Sequence, residues 1–172
     1  METQMARHRK LGRLALALVI LSSFVGCDQA TKLYATKTLQ HSDPQSYLGD
    51  TVRLGYALNP GGFLSMGANF SQNIRFLIFV GFNLCVMAGI AAMLVYHWNA
   101  RLAVFSSLTY ILAGGLGNLI DRISNNGLVT DFVNIGVGPV RTGIFNVADV
   151  GVLFGAAVLI FCMWRPPDPL PE

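Results

Sequence analysis

Three long apolar segments place the strongest limit on what this chain can fold into. They cover residues 76–96, 102–120 and 144–164. A helix needs about 20 consecutive apolar residues to cross the hydrocarbon core of a bilayer. Only 12% of the chain is charged and 53% is hydrophobic, whereas roughly a quarter of a soluble domain is charged. The sequence therefore predicts an all-α membrane protein.

A shorter apolar segment near the N-terminus predicts a fourth transmembrane helix. The run from Leu14 to Cys27 leads directly into Asp28 and Lys32. An acid followed four residues later by a base can form an ion pair on one helical face. We therefore expect a first span over about residues 14–35, whose polar outer third faces protein rather than lipid.

Basic residues at the N-terminus predict how the four helices are oriented. The cluster consists of Arg7, Arg9, Lys10 and Arg13. Because Lys and Arg close to a span favour the cytoplasmic side, both termini of a four-span chain are expected in the cytoplasm. We expect one membrane domain over residues 1–172 with a disordered tail at 165–172. The net charge of +3 is small and does not indicate a nucleic-acid partner.

The first outward loop, expected at about residues 37–75, contains a strand pattern. Its apolar members are Val52, Leu54, Tyr56 and Leu58. Their alternation with smaller or polar residues is typical of a strand, and the turn sequence at 59–62 ends it. The apolar residues that follow are Phe63, Leu64, Met66 and Phe70. We therefore expect a small extracytoplasmic β-sheet with an apolar surface loop against the membrane.

The cysteines and histidines do not indicate a metal or thiol site. Cys27, Cys85 and Cys162 all lie within apolar segments and lack the spacing of metal ligands. We expect no metal, no cofactor and no nucleophile activated by histidine. Cys27 also ends a segment that is similar to a bacterial lipoprotein signal peptide. The alternative that the chain is itself a lipoprotein, cleaved before Cys27, stays open at this point.

Four acidic residues fall in or beside the apolar segments, where a charge is costly. They are Asp28, Asp121, Asp131 and Asp149. Asp149 lies five residues inside the last apolar segment, and Asn146 precedes it by three on the same helical face. One alternative is that Asp149 only provides a favourable charge at a helix N-terminus. The interpretation favoured for Asp121 is that it caps the third helix at the membrane interface, whereas the neighbouring Arg122 can hold membrane carboxylates ionised.

Asp131 and Asp149 are expected to reach one patch at the outer membrane surface. Two neighbouring carboxylates can share a proton, so that one takes a proton from water while the other donates one. This is the chemistry of an aspartic protease. A proton-coupled transporter also uses carboxylates within the membrane and is the alternative, although four spans without an internal repeat make a transport pathway hard to build.

Five motifs together resemble the lipoprotein signal peptidase family, also called signal peptidase II. They are DQATK at 28–32, NPGGF at 59–63, GNLIDR at 117–122, VTDF at 129–132 and FNVAD at 145–149. The resemblance implies that Asp131 and Asp149 are the catalytic dyad of an aspartic endopeptidase. The substrate site that it implies is lined by Asn59, Gly61, Asn118, Arg122 and Asn146. Asp28 and Lys32 would support that site from the first helix.

The resemblance also implies the substrate. Members of the family cut prolipoproteins immediately before a cysteine that carries a diacylglyceryl group, at the outer face of the bacterial cytoplasmic membrane. The expected partners are therefore these prolipoproteins, membrane lipid, and peptide-like inhibitors that present a hydroxyl to the dyad. Two positions depart from the family pattern, Gly62 before Phe63 and Thr130 before Asp131. Neither departure changes the acids.

Overall fold

The computed structural model describes residues 2–60 and 71–164, in which four helices and one small sheet are formed. The helices are α1 (Glu2–Leu39), α2 (Gln72–Tyr96), α3 (Leu102–Ser124) and α4 (Val147–Trp164). Each is long and apolar enough to cross a membrane. The predicted class, four transmembrane helices with a small sheet, is therefore confirmed. The predicted apolar loop after Gly62 and the predicted tail at 165–172 lie outside the described residues.

The ends of the helices differ from the predicted spans. α1 has 38 residues and continues on both sides of its apolar run, because neither the basic nor the polar flank contains a helix-breaking proline. α3 extends beyond residue 120 to Ser124. α4 begins only at Val147, since Phe145 forms a β-bridge with Val133 instead of a helical turn.

Four strands form one antiparallel sheet where α1 and α3 end and α4 begins. They are β1 (Gln45–Tyr47), β2 (Val52–Asn59), β3 (Val129–Val137) and β4 (Val140–Arg141), and neighbours in this order are hydrogen-bonded. The strand pattern at 52–58 thus corresponds to β2. The prediction of a sheet within the first outward loop alone is incomplete, because β3 and β4 come from the segment between α3 and α4.

Glycines of α3 allow its neighbours to approach closely. α3 packs against α1, α2 and α4. A Cβ atom at Gly114 would collide with the backbone oxygen of Ala148, and one at Gly117 would lie 2.5 Å from a carboxylate oxygen of Asp28. The absence of a side chain at these two positions therefore permits the close approach of the helices. It brings α1, α3 and the start of α4 together beside the sheet.

At the end of the bundle away from the sheet, Arg13 joins α1 to the turn between α2 and α3. Its guanidinium donates hydrogen bonds to the backbone oxygens of Trp98 and Ala100. It also lies 5.3 Å from the centre of the Phe105 ring. The buried cluster beside it comprises Ala17, Leu94, Phe105 and Leu108. Arg13 thus satisfies two backbone carbonyl groups and fixes where α1 lies against this turn.

Candidate active site

The first carboxylate, that of Asp131, lies in the buried half of β3. Residues 129–132 are buried, and Asp131 is 3% exposed. The register of the sheet pairs Asn59 with Val129, so the side chains of Asn59 and Asp131 share one face. Nδ2 of Asn59 donates to Oδ2 of Asp131 at 3.1 Å. Nδ2 of Asn146 donates to Oδ1 of Asp131 at 2.6 Å.

The second carboxylate, that of Asp149, is held by the first turn of α4. Oδ1 of Asn146 accepts a hydrogen bond from the N–H of Asp149 at 3.0 Å. In return, the N–H of Asn146 donates to Oδ2 of Asp149 at 3.1 Å. This reciprocal pair is a capping box with aspartate at its third helical position. Nδ2 of Asn118 donates to Oδ1 of Asp149 at 2.8 Å. Asp149 is therefore both a helix cap and part of a wider polar network.

Asn146 joins the two carboxylates through one buried side chain. It is completely buried, and its Nδ2 donates to Oδ1 of Asn118 at 3.1 Å as well as to Asp131. Oδ1 of Asn118 also accepts a hydrogen bond from Nζ of Lys32 at 3.0 Å. Because an ammonium group can only donate, the oxygen of the Asn118 amide must face Lys32 and its nitrogen must face Asp149. The lysine thereby determines which amide group is presented to the second carboxylate.

The ion pair predicted on the first helix supports this network. Nζ of Lys32 lies 2.9 Å from Asp28, and the two side chains are 4% and 0% exposed. The same Nζ lies 3.5 Å from Asp121. The outer third of α1 is thus polar because it packs against other parts of the protein, as predicted. A buried ammonium group between two carboxylates offsets part of the cost of removing all three charges from water.

Asp121 does not cap its own helix, so that interpretation is wrong. Its Oδ2 accepts a hydrogen bond from the N–H of Thr130 at 2.8 Å. α3 continues to Ser124 and is followed closely by β3, which leaves Asp121 buried instead of exposed at the membrane interface. Because Thr130 directly precedes Asp131, Asp121 helps to fix the position of the first carboxylate.

Gln29 is a member of the network that the sequence interpretation misses. Its Nε2 lies 3.1 Å from oxygen atoms of Asp28, Gly117 and Asp121. It therefore connects α1 to α3 beside the ion pair. A signal was available, because an amide next to an acid at the end of an apolar span is costly unless it is hydrogen-bonded.

Arg122 provides positive charge close to the carboxylates. It is 9% exposed and interacts electrostatically with Asp149, Asp131 and Asp121. Its Nη1 donates to the backbone oxygen of Asn118 at 3.4 Å. The guanidinium therefore lies where it can balance negative charge in the site.

The environment of Asp131 favours its protonated form. The pKa of Asp131 is raised from 3.8 to about 6. Burial is the largest cause, because it disfavours the charged form, and the negative charge of Asp149 acts in the same direction. The hydrogen bonds from Asn59 and Asn146 and the charge of Lys32 oppose the shift. The pair of acids can therefore retain one proton at a pH where an isolated aspartate is ionised.

Nearly all the predicted site residues come together in this network. They are Asp131, Asp149, Asn59, Asn118, Arg122, Asn146, Asp28 and Lys32. Gly61, the remaining predicted residue, lies outside the described residues. Within the described ranges, no group of three or more His, Cys, Asp or Glu residues could hold a metal ion. The arrangement offers two hydrogen-bonded carboxylates, several fixed amide groups and one guanidinium.

Four apolar helices with paired carboxylates at one end define a multi-pass membrane protein whose site is suited to acid–base hydrolysis. The sequence model of the family described as "Signal peptidase (SPase) II" matches residues 11–165, which is well over half of the chain. The chain therefore belongs to the signal peptidase II family, and it is a peptidase of a bacterial membrane. The family identified from the five motifs is confirmed.

Curated relatives and solved structures agree with this assignment. The lipoprotein signal peptidase of Moorella thermoacetica is 33% identical over 89% of this chain and 93% of its own length. That of Mycobacterium avium is 35% identical over 86% of this chain and 78% of its own. A solved bacterial membrane enzyme has the same fold, with a TM-score of 0.72 at 22% identity over 92% of this chain and 95% of that chain. No comparison favours the transporter alternative.

Proposed function

We propose that the chain is an aspartic endopeptidase in which Asp131 and Asp149 act as one catalytic dyad. The observation that carries this proposal is the buried amide of Asn146, which donates to Asp131 while its backbone N–H donates to Asp149. One residue thus sets the relative position of both acids. Asp131 also accepts a hydrogen bond from the side-chain amide of Asn59, and Asp149 accepts one from that of Asn118.

The two acids have different environments and therefore different roles. Asp131 is almost completely buried and its pKa is raised to about 6, so it carries the shared proton. Asp149 is only partly buried and takes a proton from a water molecule. The water oxygen attacks the scissile carbonyl carbon while Asp131 donates its proton to the carbonyl oxygen. The proton on Asp149 then passes to the leaving nitrogen as the C–N bond breaks, and a hydroxyl of the tetrahedral intermediate returns its proton to Asp131 as the carbonyl re-forms.

The substrate proposed for this site is a prolipoprotein that already carries a diacylglyceryl-modified cysteine, with the cut immediately before that cysteine. The names of the relatives support this substrate class. The position of the dyad, where the sheet meets the ends of three helices, also supports it, because a lipid-anchored peptide can enter sideways from the membrane. Asn59, Gly61, Asn118, Arg122 and Asn146 are proposed to line the substrate site. Asp28 and Lys32 are proposed to support it.

The proposed orientation in the membrane places both termini in the cytoplasm and the dyad near the outer face. The basic cluster that precedes the apolar part of α1 supports this orientation. A reporter enzyme that is active only in the cytoplasm should therefore be active when it is fused after Glu172. A reporter that is active only outside the cytoplasm should be inactive there. A fusion that reads as external would contradict the orientation.

Cleavage assays on matched variants test the catalytic type. We expect both Asp131→Asn and Asp149→Asn to lower the turnover of a purified diacylglyceryl-modified prolipoprotein by about a thousandfold or more, and the double variant to lose little further activity. The control is Asp43→Asn, which removes an exposed carboxylate before β1 and should leave turnover unchanged. Efficient cleavage by either dyad variant would remove the proposed mechanism.

Inhibitors offer an independent test of the same proposal. A peptide-like compound that presents a hydroxyl to the dyad should compete with the substrate, because the hydroxyl occupies the position of the attacking water. Chelators and serine- or cysteine-directed reagents should have no effect. Strong inhibition by a chelator would contradict a mechanism that uses only the two acids.

A further inference from the structure

A cleft of about 510 Å³ lies at the end of the bundle away from the dyad. Its lining residues on α1 are Arg7, Lys10, Leu11 and Leu14, and those near the end of α2 are Val95, Trp98 and Asn99. The volume falls in the range of small-molecule sites, roughly 300–1,000 Å³. The cleft shares no residue with the carboxylate network, so peptidase chemistry does not account for it.

The α1 residues of the cleft share one helical face. Leu11 and Leu14 follow Arg7 by four and seven residues, and Lys10 precedes Leu14 by four, which are the spacings that place side chains on the same face. Arg9 follows Arg7 by two and therefore points to the other side of the helix. From the N-terminus of α1 toward the middle of the bundle, this face therefore presents Arg7 and Lys10 first, and Leu11 and Leu14 after them.

The length of α1 places these cations at a membrane surface. From Lys10 to Tyr34 the helix rises about 36 Å at 1.5 Å per residue, and the hydrocarbon core of a bilayer is about 30 Å thick. Tyr34 is exposed, as is common for aromatic residues at a membrane interface. With Tyr34 at one interface, Lys10 lies at the level of the phosphate groups of the other leaflet. Leu14, about 30 Å from Tyr34 along the helix, then lies at the edge of the hydrocarbon core, where the acyl chains begin.

The opposite wall of the cleft is held in place by the rest of the protein. The ring of Trp98 packs edge-to-face on Phe105, with 5.3 Å between ring centres. The backbone oxygen of Trp98 accepts a hydrogen bond from Arg13. Arg13 is therefore engaged with the protein, whereas Arg7 and Lys10 line the cleft and are exposed. None of the seven described residues that line the cleft is acidic.

We propose that this cleft binds one anionic phospholipid from the leaflet opposite the dyad. Arg7 and Lys10 bind the phosphate group, and the first part of an acyl chain lies along Leu11, Leu14 and Val95. A zwitterionic phospholipid brings its own cation to the two basic residues, so it binds more weakly. This lipid site is separate from the peptidase site, and it lies at the opposite end of the helix bundle.

Fluorescence of Trp98 provides a direct test of lipid binding. The chain has two tryptophans, so Trp164→Phe leaves Trp98 as the only one. This protein is reconstituted into phosphatidylcholine vesicles that contain increasing fractions of phosphatidylglycerol brominated on its acyl chains. We expect brominated phosphatidylglycerol to quench Trp98 at a lower mole fraction than brominated phosphatidylcholine does. Equal quenching by the two lipids would overturn the proposal.

Single charge variants in the same background locate the site. Each basic residue near an anionic lipid contributes about fivefold in affinity, so Arg7→Gln and Lys10→Gln should each raise the half-quenching fraction of phosphatidylglycerol by about that factor. Arg9→Gln removes the same charge from the other side of the helix, outside the cleft lining, and should change it less than Arg7→Gln or Lys10→Gln does. An equal effect of all three variants would show that phosphatidylglycerol is attracted only by the general surface charge. It would overturn the proposal of a defined binding site.

Two further measurements complete the test. The first distinguishes binding of a lipid from binding of a soluble anion, and the second changes the shape of the cleft without changing its charge. Inorganic phosphate added at matched ionic strength should leave the quenching unchanged, and displacement of the lipid by phosphate would contradict the proposal. Leu14→Phe narrows the cleft without altering its charge, so it should weaken quenching by phosphatidylglycerol. Unchanged quenching in Leu14→Phe would show that the lipid does not enter the cleft.

Discussion

Asp28 of α1 accepts a hydrogen bond at 2.8 Å from the backbone N–H of Ala148 in the first turn of α4. The N–H groups at a helix N-terminus lack partners within the helix, and the helix dipole favours a negative charge there. Asp28 therefore acts as a cap that comes from another helix. Because Ala148 directly precedes Asp149, the position of the second carboxylate depends on how α1 packs against α4.

The charge balance around Asp28 predicts that loss of Lys32 is strongly destabilising. Lys32→Met leaves the carboxylates of Asp28 and Asp121 buried without their ammonium partner, which should lower the free energy of unfolding by about 3–5 kcal/mol. Adding Asp28→Asn should recover part of the loss, since one unpaired charge is removed. Lys37→Met, at an exposed position of the same helix, is the control and should have little effect. Thermal melts in one detergent measure all three, and a double variant less stable than Lys32→Met would contradict this explanation.

Close packing at Gly114 links the stability of the bundle to the geometry of the dyad. In Gly114→Ala the new Cβ meets the backbone oxygen of Ala148, so α4 must move, and we expect a loss of about 1–3 kcal/mol in the free energy of unfolding together with reduced cleavage. Gly89→Ala is the matched control, because a Cβ at Gly89 meets nothing within 4 Å. Melting curves and cleavage rates of both variants test this. Normal activity in Gly114→Ala would show that α4 tolerates the shift.

The helices could be predicted from the sequence, whereas several of their ends could not. Apolar length alone identifies segments that must be helical in a bilayer, since every backbone group there needs an internal partner. The start of α4 depends instead on the bridge between Val133 and Phe145. The sheet was only half predicted for the same reason, because the β2–β3 register joins Asn59 to Val129, far apart in the chain. Such pairings leave no local pattern.

The acids of the site could be found from the sequence because a charge beside an apolar segment needs a reason. That argument identifies Asp28, Asp131 and Asp149. It fails to give the role of Asp121, since the hydrogen bond from Thr130 exists only after β3 packs beside the end of α3. Gln29 is overlooked because the argument considers charges and leaves out neutral amides.

Cys27 should be dispensable for the proposed chemistry. It is exposed on α1, and the helix continues through it to Leu39 without a break. We expect Cys27→Ala to leave the cleavage rate largely unchanged, because no step of the proposed chemistry uses a thiol. Intact-mass measurement of the purified chain gives the complementary result and should include the residues before Cys27. A mass that begins at a lipid-modified Cys27 would instead support the lipoprotein alternative.

The raised pKa of Asp131 predicts how its replacement affects stability at different pH values. Because the folded-state pKa is about 6 and the unfolded value is 3.8, the folded protein binds more protons than the unfolded chain between these values. The contribution of Asp131 to the wild-type free energy of unfolding therefore decreases as the pH rises through this window. Asp131→Asn has no proton to lose at this position and lacks that decrease. The two proteins should thus diverge as the pH increases.

Thermal melts of the wild type and Asp131→Asn from about pH 4 to about pH 7 measure this divergence. We expect the melting temperature of the variant, relative to the wild type, to increase across this range, and the change corresponds to at most about 3 kcal/mol in the free energy of unfolding. Any constant cost of the altered hydrogen bonds to Asn59 and Asn146 cancels, since only the change with pH is compared. Asp43→Asn, at an exposed position, is the control variant in the same melts. A relative melting temperature of Asp131→Asn that falls with pH would mean that Asp131 is stabilised as a carboxylate, and the role of proton donor would then belong to Asp149.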